Sequence, residues 1–364
     1  MDKLRIALLG TAHPHAIGFW RAFKDFPDEI EFIGYADVPP YDDQEPVAKA
    51  RENLGQTAMD TIPHYENYKE LLAQKPDLAL ISTDNRTHAD IACEAMELGI
   101  AAMVEKPMAI SYADAVRMLQ CSRENKVMLA VNWPIAWFPS FNKAKELVDV
   151  GRVGKVMRVT YRSPATWGPY SYGPDGVLPP KEFLGTTWWY RRENGGGSLL
   201  DYACYGAALS TWIFGKQAER VSGIRKNFKM REFDIEDYSA MILDFGDGVG
   251  LLEGSWSTYN CGEVPSGPVI HGTTGTIVCD RHSSLLKLYT PRSHGPSAPS
   301  EILDCGTSLP ELNLARNVLD HLTKGTPLHP LLEPERNVAV MAALDAGRTS
   351  ADTGRTVETA SLLD

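Results

Sequence analysis

Three side chains that can pass a proton stand in motifs far apart in the chain: Lys106, Asp201 and Tyr205. Lys106 belongs to Glu105-Lys106-Pro107, directly after the apolar run Ala101–Val104. Asp201 and Tyr205 belong to Gly195-Gly196-Gly197-Ser198-Leu199-Leu200-Asp201-Tyr202-Ala203-Cys204-Tyr205. If that stretch is helical from Gly197 onward, Asp201 and Tyr205 lie one turn apart on a shared face. A lysine, a carboxylate and a phenol together can handle the proton of a hydroxyl group beside a hydride acceptor. The bland reading of Lys106 is an ion pair with Glu105. Adjacent strand residues point to opposite faces, so that pairing is poor and Lys106 is read as functional.

A second constellation follows the first strand-like run, Arg5–Leu9, as Gly10-Thr11-Ala12-His13-Pro14-His15. A dinucleotide fingerprint there reads G-x-G-x-x-G and sets pyrophosphate at a helix N-terminus. Only Gly10 is retained; Ala12 and His15 replace the later glycines. Asp37 stands just past the second strand, 22 residues beyond His15, where an acid grips a ribose 2′-hydroxyl. A carboxylate there repels a 2′-phosphate, and no arginine follows within Val38–Gln44, so NAD is expected rather than NADP. His13 and His15 are counted with the cofactor residues. No cysteine or carboxylate neighbours them in sequence, so no metal is expected.

The elements that must position these groups are legible from periodicity. Strand candidates at Arg5–Leu9, Glu31–Ala36, Leu78–Ser82, Ala101–Val104 and Val127–Val131 alternate with helical stretches such as Thr87–Leu98 and Ser111–Asn125. That alternation implies a parallel sheet covered on both faces. Beyond about residue 150 the pattern becomes β-rich. Runs at Val153–Tyr161, Asp237–Phe245 and Gly248–Trp256 surround a hairpin turn at Gly246-Asp247-Gly248. A strong helix is expected over Gly197–Phe214, and further helices over Leu309–Lys324 and Pro334–Thr353. The fold class is therefore α/β: a doubly wound parallel sheet, then an α+β domain with a large, open, mostly antiparallel sheet. The expected domains are residues 1–130 and 131–364. An aromatic-rich loop over Ser163–Asn194 offers Trp188, Trp189 and Arg192 as a substrate wall, since aromatic faces suit sugar C–H surfaces and arginine suits their oxygens.

Bulk properties narrow the classes. The chain has 364 residues, 43% hydrophobic and 23% charged, with net charge -11. An acidic surface disfavours nucleic acid. No run is apolar for long enough to span a bilayer, and the first residues enter a strand with no room for a leader. Six cysteines without C-x-x-C spacing suit a reducing compartment, so the cytoplasm is expected.

These motifs, in this order, resemble the glucose–fructose oxidoreductase / inositol dehydrogenase (Gfo/Idh/MocA) family. Ser82-Thr83-Asp84-Asn85-Arg86-Thr87-His88 is similar to its T-P-N-x-x-H stretch, with Asp84 where proline is usual. Glu105-Lys106-Pro107 and the triple-glycine motif carry the rest, and the likeness runs to Thr353-Gly354-Arg355-Thr356-Val357. Tyr205 stands where many members carry histidine. The resemblance implies a Rossmann domain and reversible oxidation of a secondary hydroxyl in a sugar, glycoside or cyclic polyol. It implies cofactor roles for Gly10, Ala12, Asp37, Thr83, Asn85 and His88, and for Glu105 at the nicotinamide ribose. Lys106 would meet the reacting oxygen with the cofactor beside it, and Asn132 would lie near the nicotinamide. Either Lys106 or Tyr205 is the immediate base, with Asp201 orienting substrate or lysine. It also implies a homodimer or homotetramer through the second domain's sheet. Transient use of bound NAD without net redox, or a non-catalytic NAD-binding regulator, are the alternatives.

Overall fold

A computed structural model of the chain describes residues 2–36, 38, 61–165, 168–169, 180–259, 264–280, 283–291, 298–306 and 310–363. Asp37 lies outside these residues, as do Trp167, Tyr170 and Tyr172 of the aromatic stretch. The chain forms two compact units. The first comprises Met1–Trp133, Pro169–Gly196 and Pro310–Val338; the second comprises Pro134–Gly168, Gly197–Leu309 and Ala339–Asp364.

The first unit is built on six parallel strands: β1 (Leu4–Leu9), β2 (Ile30–Ala36), β3 (His64–Tyr65), β4 (Leu78–Ile81), β5 (Ala101–Glu105) and β6 (Leu129–Asn132). Their order is β3-β2-β1-β4-β5-β6. Ile6–Leu9 and all of β4 and β5 are buried, because helices cover both faces and leave no solvent side to a central strand. Helices α1 (Ala16–Lys24), α2 (Tyr68–Leu72), α3 (His88–Glu97) and α4 (Tyr112–Asn125) fall between the strands. Ser111 caps α4, its Oγ accepting from Asp114 N–H at 3.1 Å, and Lys126 closes it in a left-handed conformation. The sheet order reverses between β1 and β4, so the loops leaving those strands flank a crevice at their carboxyl ends.

Two later segments complete this unit. The helix Pro310–Lys324 lies against α1, with Arg316 reaching both carboxylate oxygens of Glu29 at 2.8 and 2.9 Å. Further on, Leu332 accepts from Val131 N–H at 3.1 Å. Buried Asn337 accepts from the Trp133 indole N–H at 2.6 Å and donates to the Leu331 carbonyl at 2.9 Å.

The second unit is a nine-stranded sheet, β14-β13-β12-β11-β7-β10-β9-β8-β15. In chain order these are β7 (Val156–Pro164), β8 (Arg220–Lys226), β9 (Tyr238–Asp244), β10 (Val249–Ser255), β11 (Val269–Gly272), β12 (Thr276–Val278), β13 (Leu285–Tyr289), β14 (Glu301–Asp304) and β15 (Val357–Glu358). All neighbours are antiparallel except β7 and β10. Alternation along β9 and β10 puts Met241, Leu243 and Leu252 on a buried face and Ile242 on an open one. The helix Cys204–Phe214 covers the buried face over β7 and β10, and Gly206 is small because an added Cβ would meet Leu252 at 2.7 Å.

The expected single helix over Gly197–Phe214 proves to be two. Leu199–Ala203 is π-helical, and only Cys204–Phe214 is α-helical. At the start of this segment Gly197 has φ +104 with the Glu236 carboxylate against it, and Leu199 N–H donates to Glu236 Oε1 at 3.0 Å.

Replacing Asn337 with leucine removes the partners of the Trp133 N–H and the Leu331 carbonyl. Urea unfolding should show a loss of about 2 kcal/mol or more, the range for buried polar groups left unpaired.

Candidate cofactor and active site

Gly10 ends β1 with φ +82, and a Cβ on it would lie 2.4 Å from Thr83 Cγ2 and 3.2 Å from the Ser82 carbonyl. The loop after β1 thus presses on the loop after β4, and only glycine allows it. His13 N–H donates to the Ser82 carbonyl at 3.1 Å, tying the two loops again. His13 is fully buried; its Nδ1 accepts from His15 N–H at 3.1 Å, and its Nε2 has no partner.

Glu105, at the end of β5, is completely buried. Its Oε2 lies 3.1 Å from His15 Nδ1 and accepts from Lys106 N–H at 3.2 Å, while Asn132 Nδ2 donates to Oε1 at 2.5 Å. Burial alone would push this carboxyl up. The His15 charge and hydrogen bond, the Asn132 hydrogen bond and the Lys106 charge outweigh it and hold the group below the usual carboxylate range. Glu105 is therefore a buried anion, joined in space to residues at the start of α1, just after β5 and at the end of β6. Lys106, at 2% exposure, follows directly.

The loop after β4 supplies Thr83, Asp84 and Asn85, all buried. Asp84 receives Thr87 N–H at 3.1 Å at the start of α3 and Asn194 Nδ2 at 2.6 Å. Asn85 Nδ2 donates to the Gly195 carbonyl at 2.9 Å. These bonds give a use to an aspartate where proline is usual in the T-P-N-x-x-H pattern: it ties Asn194 to the loop after β4. His88 Nδ1 lies 3.2 Å from the Pro107 carbonyl, and its Nε2 is buried without a partner.

Of the expected substrate wall, Trp188 and Trp189 are buried and Arg192 is exposed. The two indoles stack at 3.7 Å, Trp189 lies 5.0 Å from the His13 ring, and Trp188 Nε1 donates to the Ala12 carbonyl at 3.1 Å. Both tryptophans thus brace the loop after β1. No local sequence signal links Trp188 to Ala12, 176 residues away.

In the second unit Asp201 is buried within the π-helical turn, and Tyr205 follows in the α-helix at intermediate exposure. Trp256 Nε1, at the end of β10, donates to Asp201 Oδ2 at 3.0 Å. Trp256 is completely buried and carries no motif that would single it out.

The first unit's loops fit a dinucleotide. Gly10 gives the close backbone approach, and Asn85 Oδ1 and His88 Nε2 are buried polar atoms that have no protein partner in the loops leaving β4. Residues 10–133 match the oxidoreductase family with an NAD-binding Rossmann fold, and residues 141–278 match the GFO/IDH/MocA C-terminal domain. The chain belongs to the GFO/IDH/MocA family. This family member is an NAD-binding oxidoreductase. It is 25% identical over 330 residues to dTDP-3,4-didehydro-2,6-dideoxy-alpha-D-glucose 3-reductase of Streptomyces violaceoruber, covering 89% of this chain and 87% of that protein. It is 26% identical over 205 residues to scyllo-inositol 2-dehydrogenase (NAD(+)) of Bacillus subtilis strain 168, covering 55% and 54% respectively. An oxidoreductase from Agrobacterium radiobacter, solved with NAD+, L-tartaric acid and magnesium, shares the fold with TM-score 0.76 at 19% identity over 99% of both chains.

Burial first, then the charges of His15, Lys106 and His88, hold His13 well below its ordinary 6.5; burial also lowers His88. A native histidine with a lowered pKa binds fewer protons than the unfolded chain once pH falls below 6.5. Their contribution to stability is intact above that pH and is lost on acidification below it. Urea midpoints measured from pH 7.5 down to 5.5 should fall, and His13→Gln should flatten the fall.

Proposed function

We propose that this oxidoreductase reversibly converts a secondary hydroxyl of a sugar, glycoside or cyclic polyol into a ketone, using NAD. The observation that carries the reading is buried Lys106 beside ionised Glu105 at the carboxyl end of β5, next to the strand-order reversal. The substrate class is supported by relatives named for a deoxysugar and for inositol.

Bound NAD supplies the acceptor and donor of hydride. Gly10, Ala12, His13, His15, Thr83, Asn85, His88, Glu105 and Asn132 are assigned to hold it, with Asp37 at the adenosine ribose. Lys106 Nζ is assigned to the reacting oxygen, where it takes the hydroxyl proton during oxidation and returns it during reduction. The Tyr205 hydroxyl is the second candidate for that proton. Asp201, fixed by Trp256, is assigned to orient the substrate. Trp188 and Trp189 shape the wall through their grip on Ala12 and His13, and Arg192 presents donors to substrate oxygens.

The test is a panel of aldoses, polyols and glycosides with NAD and NADP, followed by NMR of the product to locate the new ketone. Lys106→Ala should lower turnover on the active substrate by roughly 10²–10⁴-fold, the worth of a general acid–base group, with NAD affinity little changed. Turnover at the wild-type rate in that variant sinks the assignment.

The same reading includes a homodimer or homotetramer formed through the open sheet face, in the cytoplasm. Ile224 and Ile242 are 52% and 51% exposed there, beside a concavity of about 400 Å³ that Leu251 and Tyr238 also line. The five described cysteines are free, consistent with a reducing compartment. Ile242→Asp places charge at the middle of this face and should shift sedimentation to the monomer; an unchanged sedimentation coefficient refutes this interface.

A further inference from the structure

The chain after β1 carries two histidines whose sequence neighbourhood lacks a carboxylate, but folding supplies one. His13, His15 and Glu105 each offer a ligand atom, and the three atoms lie within 4.8 Å of one another. We propose that this cluster is a binding site for a divalent transition-metal ion of the zinc type. Two imidazoles and one carboxylate form a donor set that suits zinc, cobalt or nickel, with a coordination position left open.

Three observations support it. His13 is buried and its Nε2 has no hydrogen-bond partner, so one nitrogen of this ring is uncommitted. The Glu105 carboxylate has its second oxygen held by Asn132 Nδ2 at 2.5 Å, an outer partner of the sort that orients a ligating carboxylate. His15 has a side chain 38% exposed, which gives an ion a way in and lets that ring close on it. Donors around a tetrahedral ion sit about 3.4 Å apart for bonds of about 2.1 Å, so His15 is the group that moves.

One bond opposes the site. His13 Nδ1 accepts from His15 N–H, which puts the neutral ring's proton on Nε2. Ligation through Nε2 shifts that proton to Nδ1 and breaks the 3.1 Å contact, with no net proton release from this ring.

Glu105 is also the group assigned above to the nicotinamide ribose, so an ion held here excludes the dinucleotide. That part rests on the proposed cofactor role; binding of the ion does not.

The test uses the full chain freed of nucleotide, titrated with cobalt(II) and zinc(II) alone, followed by calorimetry and by the visible spectrum of cobalt. Quenching of tryptophan emission by cobalt gives a local reading, because Trp189 stands 5.0 Å from His13. The expected result is one ion per chain, binding at least about tenfold weaker in His15→Ala and in Asn132→Ala. His15 is partly exposed but also partners buried Glu105, so its variant is expected to lower the urea midpoint while keeping the fold, which an unaltered far-UV circular dichroism spectrum checks. Absence of saturable binding, or undiminished binding in His15→Ala, overturns the site. Magnesium binding as tight as cobalt overturns the assignment to nitrogen donors. Saturating NAD should weaken cobalt binding; unaltered affinity refutes the exclusion and leaves the metal site standing.

Discussion

A carboxylate charged in the interior is the constraint around which the first unit is arranged. Glu105 has no solvent, and an isolated buried carboxylate would take up a proton instead of staying charged. It stays ionised because His15, Asn132 and the Lys106 backbone N–H converge on it from three chain segments. Each partner demands its own element. His15 must stand at the start of α1, Asn132 must end β6 in register with Glu105, and the parallel pairing of β5 with β6 delivers that register. The anion thus ties the ends of the strands to the helix that follows β1.

The loop leaving β1 shows how a depleted glycine motif is supported. The usual later glycines let helix and strand approach closely; Ala12 and His15 are larger. Compensation comes from outside the βα unit. Trp188 binds the Ala12 carbonyl, Trp189 lies against His13, and the Asp84–Asn194 and Asn85–Gly195 bonds tether the same stretch to the loop after β4. One short segment therefore secures both loops that flank the crevice.

In the second unit, the π-helical turn at Leu199–Ala203 is likewise tied to a side chain distant in sequence. Glu236 accepts Leu199 N–H and occupies the space a Cβ at Gly197 would need, so the triple-glycine motif serves an acidic side chain as much as a turn. Asp201 then reaches Trp256 at the end of β10. The carboxylate is oriented by an indole N–H from the sheet.

Local signals in the sequence were enough for the parallel sheet, the second β-rich region, the hairpin at Gly246–Gly248 and the tail helices, because apolar period and turn residues act over a few positions. The motifs around Gly10, Lys106 and Asp201 were legible for the same reason: their chemistry needs particular residue types at short spacing. What only the tertiary structure decided is long-range. That residues 169–196 and 310–338 belong with the first unit depends on bonds such as Trp133–Asn337 and Trp188–Ala12, which join residues 204 and 176 positions apart. The first N–H of the π-helical turn finds its acceptor on a glutamate 37 residues away. Glu105 meets His15 across 90 residues, and no spacing rule spans a sheet crossover of that length. Sequence periodicity specifies elements through local sterics and burial, whereas meetings of polar atoms are specified only by how the packed elements cross.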